Sequence, residues 1–216
     1  MLEDVVMGLN LSEITLARVY LSSDKVIKWD SGNSLLIEKP DKGYMVRVTY
    51  FRTDGDPVIL NDLTSSDTDI YLTKGEQHYL ISGGSLLNDG RPEVQLSLPK
   101  LEKDEEELLA AFHEIGHDRV ENNFKNGSGI PLFAAEFSSS GQYSRINMSP
   151  KEKRLQRWNE RQAWYHGLKI MRELEVKIPG LESASALISK INGYLSTYGA
   201  EHSSSYRNLS IQGPSP

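Results

Sequence analysis

Cysteine is absent from the 216 residues. That removes disulfides, thiol nucleophiles and thiolate metal sites together. Histidine is scarce, with five in the whole chain. Long apolar runs are missing too: none approaches the ~20 residues that span a bilayer, so no membrane partner is expected. Nor is there an excess of positive charge. Lys and Arg number 24 against 30 Asp and Glu, a net charge of −6, which gives no global drive toward phosphate and argues against nucleic acid as a partner. The stretch "MLEDVVMGLN" is acidic where a secretory signal is basic, and no long apolar core follows it. A cytoplasmic location is the resulting expectation, although a thiol-free chain would also survive outside the cell. What is present, 38% hydrophobic and 25% charged residues, is ordinary for a soluble globular protein. The length suits one domain with a sizeable core.

The texture of the chain divides that domain, expected over 1–199, into two halves. Residues 1–22 mix short apolar runs and could form a helix capped by Ser12. From 25 to 98, "KVIKWD", "SLLIEK", "YMVRVTYF", "PVILNDL", "DIYLT", "HYLIS" and "EVQLSL" alternate with turn-rich segments such as "DSGN" and "TDGD". The spacing predicts five to seven strands in an antiparallel sheet. In "YMVRVTYF", Val46, Val48 and Tyr50 share one face, with Met45, Arg47, Thr49 and Phe51 on the other. Pro99 is expected to close the sheet region. A helix should then run from 101 to about Phe124, its acidic residues Glu102 to Glu107 complementing the positive end of the helix dipole. Residues 130–148 read as a surface excursion. "SPKE" is a capping box around Ser149, Pro150 and Glu152 that starts a helix over 150–177. A last helix over 181–199, stopping at Gly199, has a packing face of Leu187, Ile188, Ile191, Tyr194, Leu195 and Tyr198. The polar tail, 200–216, is expected to be flexible.

"AAFHEIGHDR", residues 110–119, spends two of the five histidines on one helical face. His113 and His117 lie one turn apart, about 5–6 Å between Cβ atoms. That spacing lets two imidazoles grip one metal ion, with Glu114 placed to act on a bound water. A catalytic zinc commonly takes three protein ligands, and without cysteine the third must be a histidine or a carboxylate. Besides His78, His166 and His202, Glu160 stands out. At about 100° per residue it falls in the stripe of Ala163, Trp164, Gly167, Met171 and Leu174, the side that helix should bury. A buried carboxylate must be paired or bound to a metal. The competing account is an ion pair with Arg157 or Arg161. Elsewhere the plain readings are a solvated helix face for "KEKRLQRWNER", surface or packing roles for Tyr165 and His166, and core positions for Trp158 and Trp164.

The motif "HEIGH" at 113–117 followed by "NERQAW" at 159–164 resembles the gluzincin clan of zinc metallopeptidases, particularly its small forms, the minigluzincins. The resemblance covers roughly residues 90–175. It is also similar to the repressor-cleaving zincins of bacterial mobile elements, although no helix-turn-helix is seen in this chain. The resemblance implies an α+β zincin-like fold, with an N-terminal β-sheet packed on an active-site helix and a helical C-terminal half. It implies a Zn2+ cofactor held by His113, His117 and Glu160, the last from a second, "glutamate" helix. The implied activity is endopeptidase hydrolysis of peptide or protein substrates. Zinc brings the pKa of a bound water toward ~7, and Glu114 takes its proton as it attacks a peptide carbonyl. Tyr143, Tyr165, His166, His202 and Tyr206 are candidates for stabilising the oxyanion, and the sequence does not choose among them. The strand "EVQLSL" is expected at the sheet edge, where an extended substrate could add as a further strand. In the larger thermolysin-like members an aspartate four residues after the ligand glutamate supports a ligand histidine; here that position is Trp164. Rival classes are a catalytically silent regulator of the same fold and a structural zinc site closed by a fourth ligand.

The segments 1–22 and 200–216 lack an obvious core of their own and flank the expected cleft, which points to a latent form of the enzyme. Deleting 200–216 should raise hydrolysis of a casein-like substrate; a full-length protein as active as the truncation would overturn latency.

Overall fold

The structure, a computed structural model, describes residues 18–75, 78–81, 92–125 and 150–196. The expectations for residues 1–17 with Ser12, for 130–148 with Tyr143, for Ser149, for Tyr198 and Gly199, and for the tail with His202 and Tyr206 lie outside these residues. Residues 18–22, expected within a helix over 1–22, are not helical: Arg18 bridges to Thr73 and the Val19 N–H donates to the Leu72 carbonyl, so this stretch is held against residues 72–73 instead.

The short β-branched runs form strands, but in two sheets rather than one. Strands β1 (Lys25–Lys28), β2 (Ser34–Glu38), β3 (Arg47–Phe51) and β4 (Val58–Ile59) make an antiparallel meander in that order. The first turn uses Gly32 at φ +87°, where a side chain would be strained. Strands β5 (Asp69–Thr73), β6 (Tyr79–Ile81) and β7 (Glu93–Ser97) form a second sheet in the order β5-β7-β6, with β7 parallel to β5 and antiparallel to β6. The approach to β3 joins the two sheets: Met45 bridges to Tyr71, and the Val46 N–H donates to the Ile70 carbonyl at 2.9 Å.

This order corrects the expectation for "EVQLSL". β7 is central, paired on both sides, and all five of its residues are buried. A strand buried on both faces belongs inside a sheet, so among the described residues β6 is the edge beside it. In β3 and its approach the predicted faces hold for Val46, Val48 and Tyr50, which are buried, and for Met45, Arg47 and Phe51, which are exposed; Thr49 is buried instead.

The sheet region ends at Ser97, just before Pro99 as expected. Pro99 stands in the first turn of a short helix, α1 (Leu98–Lys103), whose N-cap is Ser97. Helix α2 (Glu107–Lys125), which carries the "HEIGH" motif, starts after a break at 104–106. At that break Glu105 turns inward and accepts from Ser31 Oγ, from Asn33 Nδ2 and from Tyr50 Oη, the last two at 2.7 Å. One member of the acidic run is therefore a buried tie between the first sheet and the helices, not a partner for the helix dipole. Trp29 adds a second tie, donating from Nε1 to the Leu101 carbonyl.

Helix α3 (Pro150–Glu173) ends four residues earlier than the pattern predicted. Glu175 takes the left-handed conformation at φ +53°, and the Val176 and Glu175 N–H groups close on the Met171 and Arg172 carbonyls. This is a Schellman stop with glutamate where glycine is usual. Helix α4 (Ala184–Ser196) buries Leu187, Ile191 and Leu195; Ile188, expected on the same face, is exposed. The inward faces of both sheets and of α1–α4 share one hydrophobic core around Leu35, Tyr50, Ile70, Leu96, Leu108 and Phe112. The fold is mixed α+β. No helix among the described residues is long and apolar enough to cross a membrane.

Glu105→Ala leaves Asn33 and Tyr50 as buried donors without their acceptor and should cost about 3 kcal/mol in urea unfolding. A loss under about 1 kcal/mol would show that the tie is dispensable.

Candidate metal centre

The site begins with the way α2 crosses α3. A Cβ added at Gly116 would lie 2.0 Å from the Ala163 carbonyl oxygen, and one at Gly167 would lie 2.6 Å from that of Phe112. The helices therefore touch backbone to backbone, at positions where only glycine fits. The side chains flanking the crossing are forced together. His113 and His117 come from α2, Glu160 from α3.

Their ligating atoms converge. His113 Nε2 lies 3.1 Å from Glu160 Oε2 and 3.1 Å from His117 Nε2, and His117 Nε2 lies 3.6 Å from Glu160 Oε2. His113 is 6% exposed and Glu160 5%, with His117 more open. Burial, together with neighbouring His117, pushes the His113 ring down to about 4, despite Glu160 pulling the other way. It is neutral at pH 7, the form that ligates a metal. Burial by itself would raise the Glu160 carboxyl, but His117 and His113 outweigh it and hold that carboxyl below the usual range. An imidazole nitrogen free of its proton and a carboxylate oxygen each offer a lone pair, so the three groups are of the kind that ligate a metal ion. Zinc at about 2.0–2.1 Å from tetrahedral ligands sets those ligands about 3.3–3.4 Å apart. The observed triangle brackets that value, so these three residues could hold such an ion. Among the described residues no other group of acids and histidines does so.

The ring of His113 stacks on Trp164, centroids 4.1 Å apart and planes 22° from parallel. Trp164 in turn stacks on Tyr194 of α4, at 5.4 Å and 28°. Trp164 is core, as its stripe predicted; Trp158 is half-buried. Glu114, beside His113, is also half-buried. Tyr165 is 42% exposed and meets the His166 ring edge-on at 5.3 Å. On a helix these two positions lie more than 100° around from Glu160. Burial, then Lys169 and Arg119, lowers the His166 ring from its ordinary value.

Three anchoring residues were not singled out from the sequence. Asp118, next to His117, is buried and accepts from the Ser65 N–H at 2.7 Å, Ser65 Oγ at 2.8 Å and Thr68 Oγ1 at 2.6 Å. It ties α2 to the loop before β5. The signal that marks Glu160 was present here too, because Asp118 shares a helical face with Leu108, Ala111 and Ile115. His78, just before β6, accepts from the Ser97 N–H through Nδ1 and turns Nε2 toward Glu107, 3.6 Å away. Its ring, more than the opposing burial, holds the Glu107 carboxyl below the usual range. Gly116, inside the motif, carried no signal beyond its size.

Compared with protein-family models, with curated proteins and with solved structures, the chain matches none.

Helix propensity alone predicts that Gly116→Ala stabilises α2 by about 1 kcal/mol. The crossing predicts the opposite: a loss of about 1–3 kcal/mol in chemical denaturation, because the helices must separate. A stabilised variant would contradict the close approach.

Proposed function

We propose that this chain is a zinc-dependent metallopeptidase of the gluzincin type, close to the minigluzincins in its paired motifs, hydrolysing peptide bonds in protein substrates. The observation that carries the reading is the convergence of His113, His117 and Glu160 from two helices at separations suited to tetrahedral zinc. Helical periodicity in the sequence points to the same three residues independently of any distance between α2 and α3. A zinc ion bound there would acidify a coordinated water and polarise a peptide carbonyl.

The residues have separable tasks. His113 and His117 offer neutral nitrogens, and Glu160 supplies the negative charge that makes a dication welcome in a buried place. Glu114 follows His113 directly and is half-buried, a setting in which a carboxylate can receive a proton from water and pass it to a leaving amine. The ligand group has three members among the described residues. Three protein ligands leave a fourth position for water and substrate, which favours a catalytic over a closed structural site. Strand β6 lies next to β7, the strand that leads through α1 into α2, and is an edge among the described residues, the kind of position at which an extended peptide could add as a further strand. A zincin-like fold and a cytoplasmic location belong to the same reading.

The purified chain should bind about one zinc. Elemental analysis should find the metal gone in His113→Ala. Glu160→Gln, which keeps shape but removes charge, should weaken zinc binding about tenfold or more in a competition with a chelator. Glu114→Ala should keep the zinc and lose hydrolysis. Unchanged zinc affinity in Glu160→Gln removes the third ligand and with it the clan. Zinc binding without any Glu114-dependent hydrolysis leaves a silent regulator.

A further inference from the structure

A metal-ligating histidine ordinarily donates its second ring N–H to a carboxylate or a carbonyl, which fixes the ring and raises its basicity. His113 departs from this. Its Nδ1 is buried and has no hydrogen-bond partner among the described residues. What touches the ring is the indole of Trp164, 2% exposed, stacked at 4.1 Å and nearly parallel, with Tyr194 backing it from α4. The Trp164 Nε1 is likewise buried without a partner among the described residues, so no described group holds this indole by a hydrogen bond. Packing and the stack orient it.

We infer that Trp164, backed by Tyr194, is a positioning residue for the metal ligand His113, its indole face doing what a hydrogen-bonded acceptor does for other ligand histidines. The inference rests on the zinc reading of the site. Two physical effects support it. The stacked column restricts rotation of the His113 ring about its outer bonds, which keeps Nε2 aimed at Glu160 and His117 without help from Nδ1. An imidazole bound to a dication also carries positive charge, and the electron-rich face of an indole attracts a cation more strongly than that of any other side chain. The stack should therefore strengthen when the metal enters. A residue that only filled space would gain nothing at that moment. The column has a further consequence for the fold. It runs from α2 through α3 to α4, so the last helix supports the metal centre without contributing a ligand.

The test compares zinc affinity with the stability of the metal-free protein. Affinity is read by chelator competition and stability by urea unfolding after exhaustive chelation. Trp164→Phe keeps a stacking face and should hold zinc within about threefold of the parent chain. Trp164→Leu keeps apolar bulk without a face and should lose about tenfold or more. The two variants should differ in affinity by more than their metal-free stabilities explain. Tyr194→Leu, which loosens the outer ring without touching His113, should lose affinity severalfold and decides the matter if Trp164→Leu does not fold. A folded Trp164→Leu or Tyr194→Leu with parental zinc affinity overturns the inference while leaving the zinc site intact. A parent chain that takes up no zinc overturns the site and the inference together.

Discussion

Backbone contact between α2 and α3 is the constraint on which the rest of the molecule depends. Helices usually pack 8–10 Å apart because side chains stand between them. Here Gly116 lies against the Ala163 carbonyl and Gly167 against that of Phe112. With the axes that close, residues one turn from the crossing have nowhere to point except at each other. His113, His117 and Glu160 meet for that reason. The remaining anchors hold α2 in register with the sheets: Asp118 on the loop before β5, Glu105 on Ser31, Asn33 and Tyr50, and His78 opposite Glu107.

Buried carboxylates separate structure from site. Glu105 and Asp118 are each met by three donors from hydroxyl, amide or backbone groups. Glu93 is met by the Arg18 guanidinium, which also lies over the Tyr71 ring. Each of these acids has donors from other parts of the protein, although Glu93 keeps one buried oxygen without a described partner, and their work is to join segments far apart in sequence. Glu160 is different. Its neighbours are two imidazoles whose nitrogens serve a metal as readily as they serve a carboxylate. Against the burial that would raise it, the same two rings hold its carboxyl below the usual range, so the groups that stabilise this charge are also groups that could ligate a metal.

Much of the site was legible in the sequence because its signals are local. A pair of histidines four apart, a carboxylate on an apolar stripe, and a Ser-Pro helix start are all read within one turn or two of helix. Periodicity placed Glu160 and Trp164 on the buried side of α3, where they are. The same local reasoning failed where the deciding contact was distant. It assigned Glu105 to the helix dipole because the chain shows an acidic run, while the structure spends that residue on Tyr50, 55 positions away. It ran α3 on toward Pro179, while a glutamate in a left-handed conformation stops it at Glu173. Nothing in one-dimensional pattern predicts that a non-glycine residue will accept that conformation.

The amino-acid sequence alone determined where most strands and the long helices lie, which side chains could ligate a metal, and on which helical face each stands. These follow from covalent geometry and hydrophobic period, which act over a few residues. Only the tertiary structure decided that the strands divide into two sheets, that β7 is central and, among the described residues, β6 the edge, and that an indole stacks on His113 where no described acceptor reaches its Nδ1. Those outcomes depend on which surfaces pack together and how closely, and that is set by the sum of many weak contacts between segments remote in the chain.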